Sequence, residues 1–389
     1  MLIPPLRDKL CQCGNKSAGV LYFRAMVYKV IGLMSGSSLD GLDIAYVHLN
    51  EVRGGWAYEI VQAECIPYTK EMADNLRNAG QLRTHEYLRL HTAYGRFLGE
   101  AVNSFIERHG IEHQVHLVAS HGHTVMHEPH NHTTGQIGDG AAIAAVTGLP
   151  VVSDLRNMDV ALGGQGAPIV PIGDRLLFGQ YDYWLNIGGI ANITVPHNGG
   201  TLAFDICPAN QALNGLAEMA GKTMDENGDM ARAGKLQMDI LGDLNDEPYY
   251  QQEPPKSLSN EQAKQLVFPI LLESKNKLDD LLRTAVQHIA DKIIEAVKKY
   301  PAGKEKAQLL ATGGGALNTF LVERISEGLA EHNIEVVVPE TNTVLYKEAV
   351  VMALIGVLRW REETNVLSSV TGATRDSIGG ALWMGHSYN

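Results

Sequence analysis

The first clear pattern in the chain is a set of three runs in which apolar and polar residues alternate. They cover residues 27–33 and 42–49 and a third run that starts at Trp56. Alternation with a period of two predicts strands, and three successive runs predict a meander. The period then becomes helical over residues 71–80 and 85–109. Beyond them, "HQVHLVASHGHTV" predicts a buried strand and "GDGAAIAAVTGLPVVSDL" a helix, a turn and a strand.

The same succession of elements starts again at Tyr181. The stretch "YDYWLNIGGIANITVPHNGGTLAFDI" predicts a strand, a glycine loop and two further strands. Helical periodicity follows over residues 209–220 and 260–299, and "AQLLATGGGALNTFLVERISEGL" predicts strand, glycine loop and helix before a strand in "IEVVVPE". Two halves with the same order of elements predict two α/β domains with a ligand cleft between them.

The domain boundaries follow from where the patterns start and stop. We place an N-terminal α/β domain at residues 26–155, joined by the C-terminal segment 370–389, and a C-terminal α/β domain at residues 156–369. The flexible stretch "GGQGAP" near the first boundary is a candidate hinge. Because strand-like pattern begins only at Met26, residues 1–25 are interpreted as a disordered extension or a non-native start.

Composition narrows the possible classes of function. A formal net charge of −12 argues against nucleic acid or an anionic membrane as the main partner. No uninterrupted apolar run reaches the roughly 18 residues of a membrane span, and the first residues lack a secretory apolar region. The 4 cysteines have neither zinc-knuckle nor disulfide-framework spacing, which predicts reduced thiols in the cytoplasm.

Three loops share one design, in which glycines and small polar residues follow an apolar strand. They are "GLMSGSSLDG" (32–41), "NIGGIAN" (186–192) and "ATGGGALN" (311–318). Backbone N–H groups without Cβ atoms around them can surround phosphate oxygens. One such loop is ordinary turn chemistry. Three of them, each at the end of a strand, predict a nucleotide-binding cleft.

Five histidines fall within "SHGHTVMHEPHNHTTGQIGDG", namely His121, His123, His127, His130 and His132. A zinc site is one interpretation, but H-x-H-x₃-H in a loop lacks the helical spacing that places ligands on one face. We therefore assign no metal site here. His121 and His123 are expected to face a polar substrate, with His130 and His132 in solvent.

Charged residues follow the buried strand in "VVSDLRNMDVALGGQGAPIVP". Asp154, Arg156 and Asp159 are the types that suit a sugar, since carboxylates accept from vicinal hydroxyls and arginine reaches an anionic substituent. An internal Asp–Arg ion pair that fixes the loop is an equally good interpretation.

Asp205, in "LAFDICPANQALN", is the one charged residue at the end of an otherwise uncharged strand. A carboxylate at a strand end beside a cleft is a candidate general base, which phosphoryl transfer requires. Because a helix-like run follows, a helix N-cap is the structural alternative.

Taken in order, these segments resemble the anhydro-N-acetylmuramic acid kinases of the actin-like ATPase and sugar kinase superfamily. The resemblance runs from about residue 27 to 382. It rests on the motifs "GLMSGSSLDGLD", "SHGHTVMHEP", "DLRNMDVALGGQGAPIVP", "LNIGGIANIT", "FDICPAN", "ATGGGALN" and "VTGATR". It implies two actin-like (ribonuclease H-like) domains with ATP and Mg²⁺ in the active-site cleft between them, and a homodimer.

The resemblance also implies a reaction and the residues that perform it. ATP would phosphorylate O6 of a 1,6-anhydro amino sugar while water, activated by Asp205, opens the ring at C1. His121, Asp154, Arg156 and Glu348 would lie near the sugar. The residues implied for ATP are Gly36, Ser37, Ser38, Leu39, Asp40, Gly41, Leu42, Asp43, Asn186, Gly188, Gly189, Gly313, Gly314 and Gly315. Ser37 and Ser38 would donate to phosphate, and Asp40 or Asp43 would hold Mg²⁺ through water.

Three positions depart from the family pattern. Cys207 replaces the glycine before the proline of the Asp205 motif, which would strain the loop if a positive φ were needed. Ser37 replaces threonine, and His123 replaces a common glutamine. Two alternatives therefore stay open: a kinase of another 1,6-anhydro sugar, or a sugar- and nucleotide-binding protein without turnover.

Overall fold

The computed structural model describes residues 26–36, 39–197, 200–254 and 256–386. Its strands are β1 (Met26–Ser35), β2 (Gly41–Val52), β3 (Gly55–Pro67), β4 (Leu117–Ser120), β5 (His123–Glu128), β6 (Thr133–Ile137), β7 (Val151–Ser153), β8 (Tyr183–Ile187), β9 (Ile190–His197), β10 (Gly200–Pro208), β11 (Ala307–Thr312), β12 (Ile334–Val337) and β13 (Ala381–Trp383). Its helices are α1 (Lys70–Arg77), α2 (Thr84–His109), α3 (Gly140–Thr147), α4 (Asn157–Ala161), α5 (Pro171–Leu177), α6 (Asn210–Glu218), α7 (Asp229–Ala233), α8 (Met238–Asn245), α9 (Asn260–Glu273), α10 (Leu278–Lys299), α11 (Thr319–Ala330), α12 (Thr341–Trp360) and α13 (Ser368–Thr371).

The first sheet has the strand order β3-β2-β1-β4-β7-β13. Strands β1 to β3 form the predicted antiparallel meander, because short turns join them. Strands β4 and β7 are parallel to β1, as expected of strands that return after a helical crossover. Strand β13 pairs antiparallel with β7, so the C-terminal segment adds a strand to this sheet.

The second sheet repeats this arrangement with the order β10-β9-β8-β11-β12. Strands β8, β9 and β10 form an antiparallel meander, and β11 and β12 are parallel to β8. In both sheets the first strand along the chain is therefore central. The second and third strands lie on one side of it, and the fourth and fifth lie on the other. The predicted α/β fold with two ribonuclease H-like units is confirmed. The boundaries at residues 155 and 369 stay a prediction.

The long apolar helix α12 packs against β1, β2 and β4 of the first sheet. Its length and mean hydropathy of 1.3 over 18 residues would let it cross a membrane. Its charged residues interrupt the apolar run, so the sequence shows no continuous apolar stretch of that length here. However, 72% of that window is buried inside the protein, and Lys347 and Glu348 lie within the helix. These features are those of a core helix.

One helix prediction was wrong, because the run over 260–299 forms two helices. Helix α9 ends at Glu273, because its C-cap Ser274 has an extended ψ of 140°, and α10 begins at Leu278. Asp279 and Asp280 occupy the first turn of α10, where the helix dipole favours negative charge. The β5–β6 hairpin was not predicted either, since its polar, histidine-rich strands carry no alternating apolar pattern.

Candidate active site

Two of the glycine loops lie side by side, because β8 and β11 are parallel neighbours and both loops leave the same edge of the second sheet. Gly313 has a φ of 81°, and a Cβ atom there would lie 2.5 Å from Asn186 Oδ1 and 2.7 Å from Ile187 O. Only glycine fits this approach of the two loops. Gly188, Gly189 and Gly314 are less crowded, with no atom within 3.4 Å of an added Cβ. These backbone groups form an open cradle.

The beginning of α6 completes this cradle. Asn210 donates from Nδ2 to Ile187 O over 3.2 Å, and its Oδ1 would lie 2.7 Å from a Cβ at Gly315. The amides of Ala209 and Gln211 both donate to Gly189 O. Sequence reasoning did not single out Asn210, although it follows Asp205 within the same motif. Its role depends on contacts with loops that are distant in sequence.

The third loop, between β1 and β2, belongs to the first sheet. Of its predicted ATP-binding residues, Ser37 and Ser38 lie outside the described residues. Leu39 has a φ of 58°, and a Cβ at Gly41 would lie 2.5 Å from Cys65 Sγ, so the turn is tight. Gly36 precedes it, and the side chain of Leu42 is buried in the sheet core. Leu42 could therefore contact a nucleotide through its backbone groups but not through its side chain.

Acidic side chains cluster beside this loop. Burial raises the pKa of Asp43 to about 6, with further increases from Asp40 and Glu348 and a decrease from a Cys65 hydrogen bond. Among the described residues no group of three or more His, Cys, Asp or Glu side chains is arranged to hold a metal ion. The set still fits Mg²⁺, which prefers oxygen ligands and is usually bound through only one or two carboxylates plus phosphates and water.

His121 and Arg156 form a buried hydrogen-bonded pair. Arg156 Nε donates to His121 Nε2 over 2.8 Å, and Arg156 Nη1 donates to Gly166 O over 2.6 Å. The second ring nitrogen of His121 lies 3.0 Å from Gly122 O, so both nitrogens are used within the protein. Burial and the neighbouring guanidinium lower the pKa of His121 to about 3. This neutral ring orients Arg156, whose remaining N–H groups are available for a substrate anion.

The two aspartates of the same segment have different surroundings. Asp154 has a φ of 57°, a strained conformation for this residue, and its carboxylate accepts from Ser153 Oγ over 2.6 Å. Asp159 is fully buried and accepts from Gly166 N and Thr371 Oγ1. In the described part of the chain no ion pair links Asp154 to Arg156. Asp159 fixes the "GGQGAP" stretch, while Asp154 keeps one oxygen for other partners.

Glu348 links a helix packed on the first sheet to a strand of the second sheet. It lies on α12, and its Oε1 accepts from Asn186 Nδ2 over 3.4 Å. Burial raises its pKa, while Lys347 and Arg156 oppose that increase. Glu348 thus contacts the glycine cradle of the second sheet and lies within electrostatic range of Arg156.

Asp205 lies on β10 and is not a helix N-cap, since α6 begins five residues later and Ala209 is its N-cap. Its carboxylate accepts from Leu258 N over 2.9 Å, and Tyr249 Oη donates to its backbone oxygen over 2.8 Å. Burial raises the pKa of Asp205, and the Leu258 amide opposes this. A desolvated carboxylate with one fixed partner is suited to accept a proton.

Cys207 does not strain the Asp205 motif. Its φ is not among the positive values of the described non-glycine residues, and the strand register shifts between Asp205 and Cys207. The thiol is fully buried, and burial raises its pKa to about 12. A β-bulge therefore positions this segment without the backbone freedom of glycine.

The repeated sheet topology, the paired glycine loops and the partly buried carboxylate of Asp205 on the same sheet define an α/β phosphotransferase. Residues 28–385 match the family model described as anhydro-N-acetylmuramic acid kinase. The enzyme of that name from Pasteurella multocida (strain Pm70) is 31% identical over 366 residues, covering 91% of this chain and 96% of its own. The one from Shewanella amazonensis is 34% identical, covering 90% and 97%. The chain belongs to the anhydro-N-acetylmuramic acid kinase family, an ATP-using sugar kinase family.

The chain is more distantly similar to solved structures. An activator of the 2-hydroxyisocaproyl-CoA dehydratase from Clostridium difficile with bound ADPNP has a TM-score of 0.44 and 16% identity. The alignment covers 87% of this chain and 96% of that one.

Proposed function

We propose that the protein converts 1,6-anhydro-N-acetylmuramic acid, ATP and water into N-acetylmuramic acid 6-phosphate and ADP during cell-wall recycling. The observation that carries this proposal is the family match over residues 28–385, with the partly buried Asp205 carboxylate held by the Leu258 amide. Cys207 was the motive for a binding protein without turnover, and its ordinary backbone removes that motive.

In the proposed mechanism Asp205 takes a proton from a water molecule, whose oxygen forms a bond to C1 of the sugar. The C1–O6 bond breaks, and O6 forms a bond to the γ-phosphorus of ATP as the bond to ADP breaks. Burial raises the pKa of Asp205, so this carboxylate is a stronger base than one in water. The Leu258 amide keeps it oriented.

The nucleotide is proposed to lie in the glycine cradle, with its phosphates between Asn186–Gly189 and Gly313–Gly315 on one side and residues 36–43 on the other. Mg²⁺, which would neutralise phosphate charge during transfer, is proposed to be held through water by Asp40 or Asp43. The acidic surroundings of Asp43 support this assignment.

The sugar is proposed to lie near Arg156, Asp154, His121 and Glu348. Arg156 suits the lactyl carboxylate of the muramic acid, since His121 and Gly166 leave part of its donor fork free. A kinase of an anhydro sugar without the lactyl group is the second candidate. The predicted cytoplasmic location and homodimer complete the proposal, and both remain predictions.

A coupled assay of ADP release over a panel of anhydro sugars tests this function. We expect turnover with 1,6-anhydro-N-acetylmuramic acid and, for the analogue without the lactyl group, a loss of about tenfold or more in kcat/KM. Asp205→Asn should lower kcat about 100- to 10,000-fold with little change in ATP affinity. Absence of ADP release with every anhydro sugar would refute the proposal.

A further inference from the structure

A chain of buried hydroxyl groups runs from the core of the first sheet to His123. Tyr94 Oη lies 2.6 Å from Tyr68 Oη, which donates to Ser35 Oγ over 2.8 Å. Ser35 Oγ lies 3.1 Å from His123 Nδ1. Three of the four residues are buried, with 0% exposure for Tyr94, 4% for Ser35 and 6% for His123. Burial makes such a network costly to break.

The hydrogen bond to Ser35 orients the ring of His123. Tyr68 donates to Ser35 Oγ, which lies 3.1 Å from His123 Nδ1, so one ring nitrogen is held within the protein. Burial lowers the pKa of His123 to about 4, which agrees with a neutral ring. In either tautomer of a neutral ring, Nε2 can form one hydrogen bond, as donor or as acceptor.

The position of His123 places its second nitrogen beside the site. Ser35 is the last residue of β1, within the glycine loop of residues 32–41, and His123 begins β5 two residues after His121. Nε2 makes no hydrogen bond to another described residue, and it is not among their fully buried unpaired atoms. Nε2 thus has no hydrogen-bond partner among the described residues.

We propose that His123 is a specificity-determining residue whose Nε2 forms a hydrogen bond with a hydroxyl group of the sugar, which can donate or accept. This inference rests on the proposed function, because it needs a sugar in the cleft. Tyr68, Tyr94 and Ser35 are positioning residues that hold the ring. Glutamine, whose amide can also donate or accept, could form a similar hydrogen bond but with more side-chain freedom.

Steady-state kinetics and calorimetry of three variants test this role. His123→Ala should raise the KM and the Kd for the sugar about tenfold, the effect of one unmet hydrogen bond, with kcat and the KM for ATP nearly unchanged. His123→Gln should recover most of the sugar affinity, which a purely structural role would not do. His130→Ala, an exposed histidine nearby, is the matched control and should have no effect.

Sugar analogues identify the contact. For an analogue that lacks the contacted hydroxyl group, wild type and His123→Ala should bind equally. Unchanged sugar affinity in His123→Ala would overturn the proposal, as would an equal loss for ATP and sugar. If the wild type bound the sugar without turnover, only the kinase function would be refuted. The Kd values of the wild type and His123→Ala for the sugar would still test the role of His123. Failure of the wild type to bind any anhydro sugar would refute both.

Discussion

Gly313→Ala is the substitution whose cost the structure defines best. The φ of 81° and ψ of 159° at Gly313 lie in a region that is essentially restricted to glycine, and this strain costs about 1–3 kcal/mol for alanine. An added Cβ would also meet Asn186 Oδ1 at 2.5 Å and Ile187 O at 2.7 Å. Because β8 and β11 hold both loops at one edge, neither loop can move without disturbing the other.

If the folded protein relieves the strain by displacing the loop, we expect the affinity for ATP to fall about 5- to 150-fold. If the strain remains, the melting temperature should fall by about 2–12 °C. Isothermal calorimetry with ATP and thermal unfolding followed by circular dichroism measure the two effects.

Gly314→Ala is the matched control, since the nearest atom to its Cβ would be Asn210 Nδ2 at 3.6 Å, an ordinary contact. Its melting temperature should lie within about 1 °C of the wild type, because substitutions without a steric clash usually change the free energy of unfolding by less than about 0.5 kcal/mol. If Gly313→Ala matched the wild type in both stability and ATP affinity, the close approach of the two loops would be refuted.

Two further predictions concern buried charges. Burial raises the pKa of Asp43 to about 6, so ionising it costs the folded state free energy as the pH rises from about 4 to 6. Asp43→Asn should therefore stabilise the protein by about 1–3 kcal/mol in urea unfolding at pH 7.5 but hardly at pH 4, and an equal gain at both would contradict this. Lys347→Met leaves Asp174, its partner at 2.6 Å, unpaired in the core and should cost about 3–5 kcal/mol. Adding Asp174→Asn should recover most of the lost free energy of unfolding. A Lys347→Met variant as stable as the wild type would refute the role of the pair.

The strand meanders and the glycine loops could be predicted because both signals are local. Alternation over residues 27–33 and 42–49 is visible in a short window, and glycines mark the loops at strand ends. Since parallel strands place their loops at one edge, even the proximity of the loops after β8 and β11 followed from the element order.

Partners that are distant in sequence could not be predicted. Leu258 holds the Asp205 carboxylate from a position 53 residues away, and Asn210 binds the backbone of Ile187. The sequence alone also could not show that both nitrogens of His121 are used within the protein. In each case folding determines which polar groups meet, and no local pattern records that choice.

The central claim is that water attacks C1 while O6 receives the phosphoryl group, with Asp205 as the base. The most direct measurement is mass spectrometry of the product formed from ATP, Mg²⁺ and 1,6-anhydro-N-acetylmuramic acid in ¹⁸O-water. The account predicts N-acetylmuramic acid 6-phosphate with one ¹⁸O at C1 and none in the phosphate, and almost no product from Asp205→Asn. An unlabelled 6-phosphate, or full activity of Asp205→Asn, would contradict it.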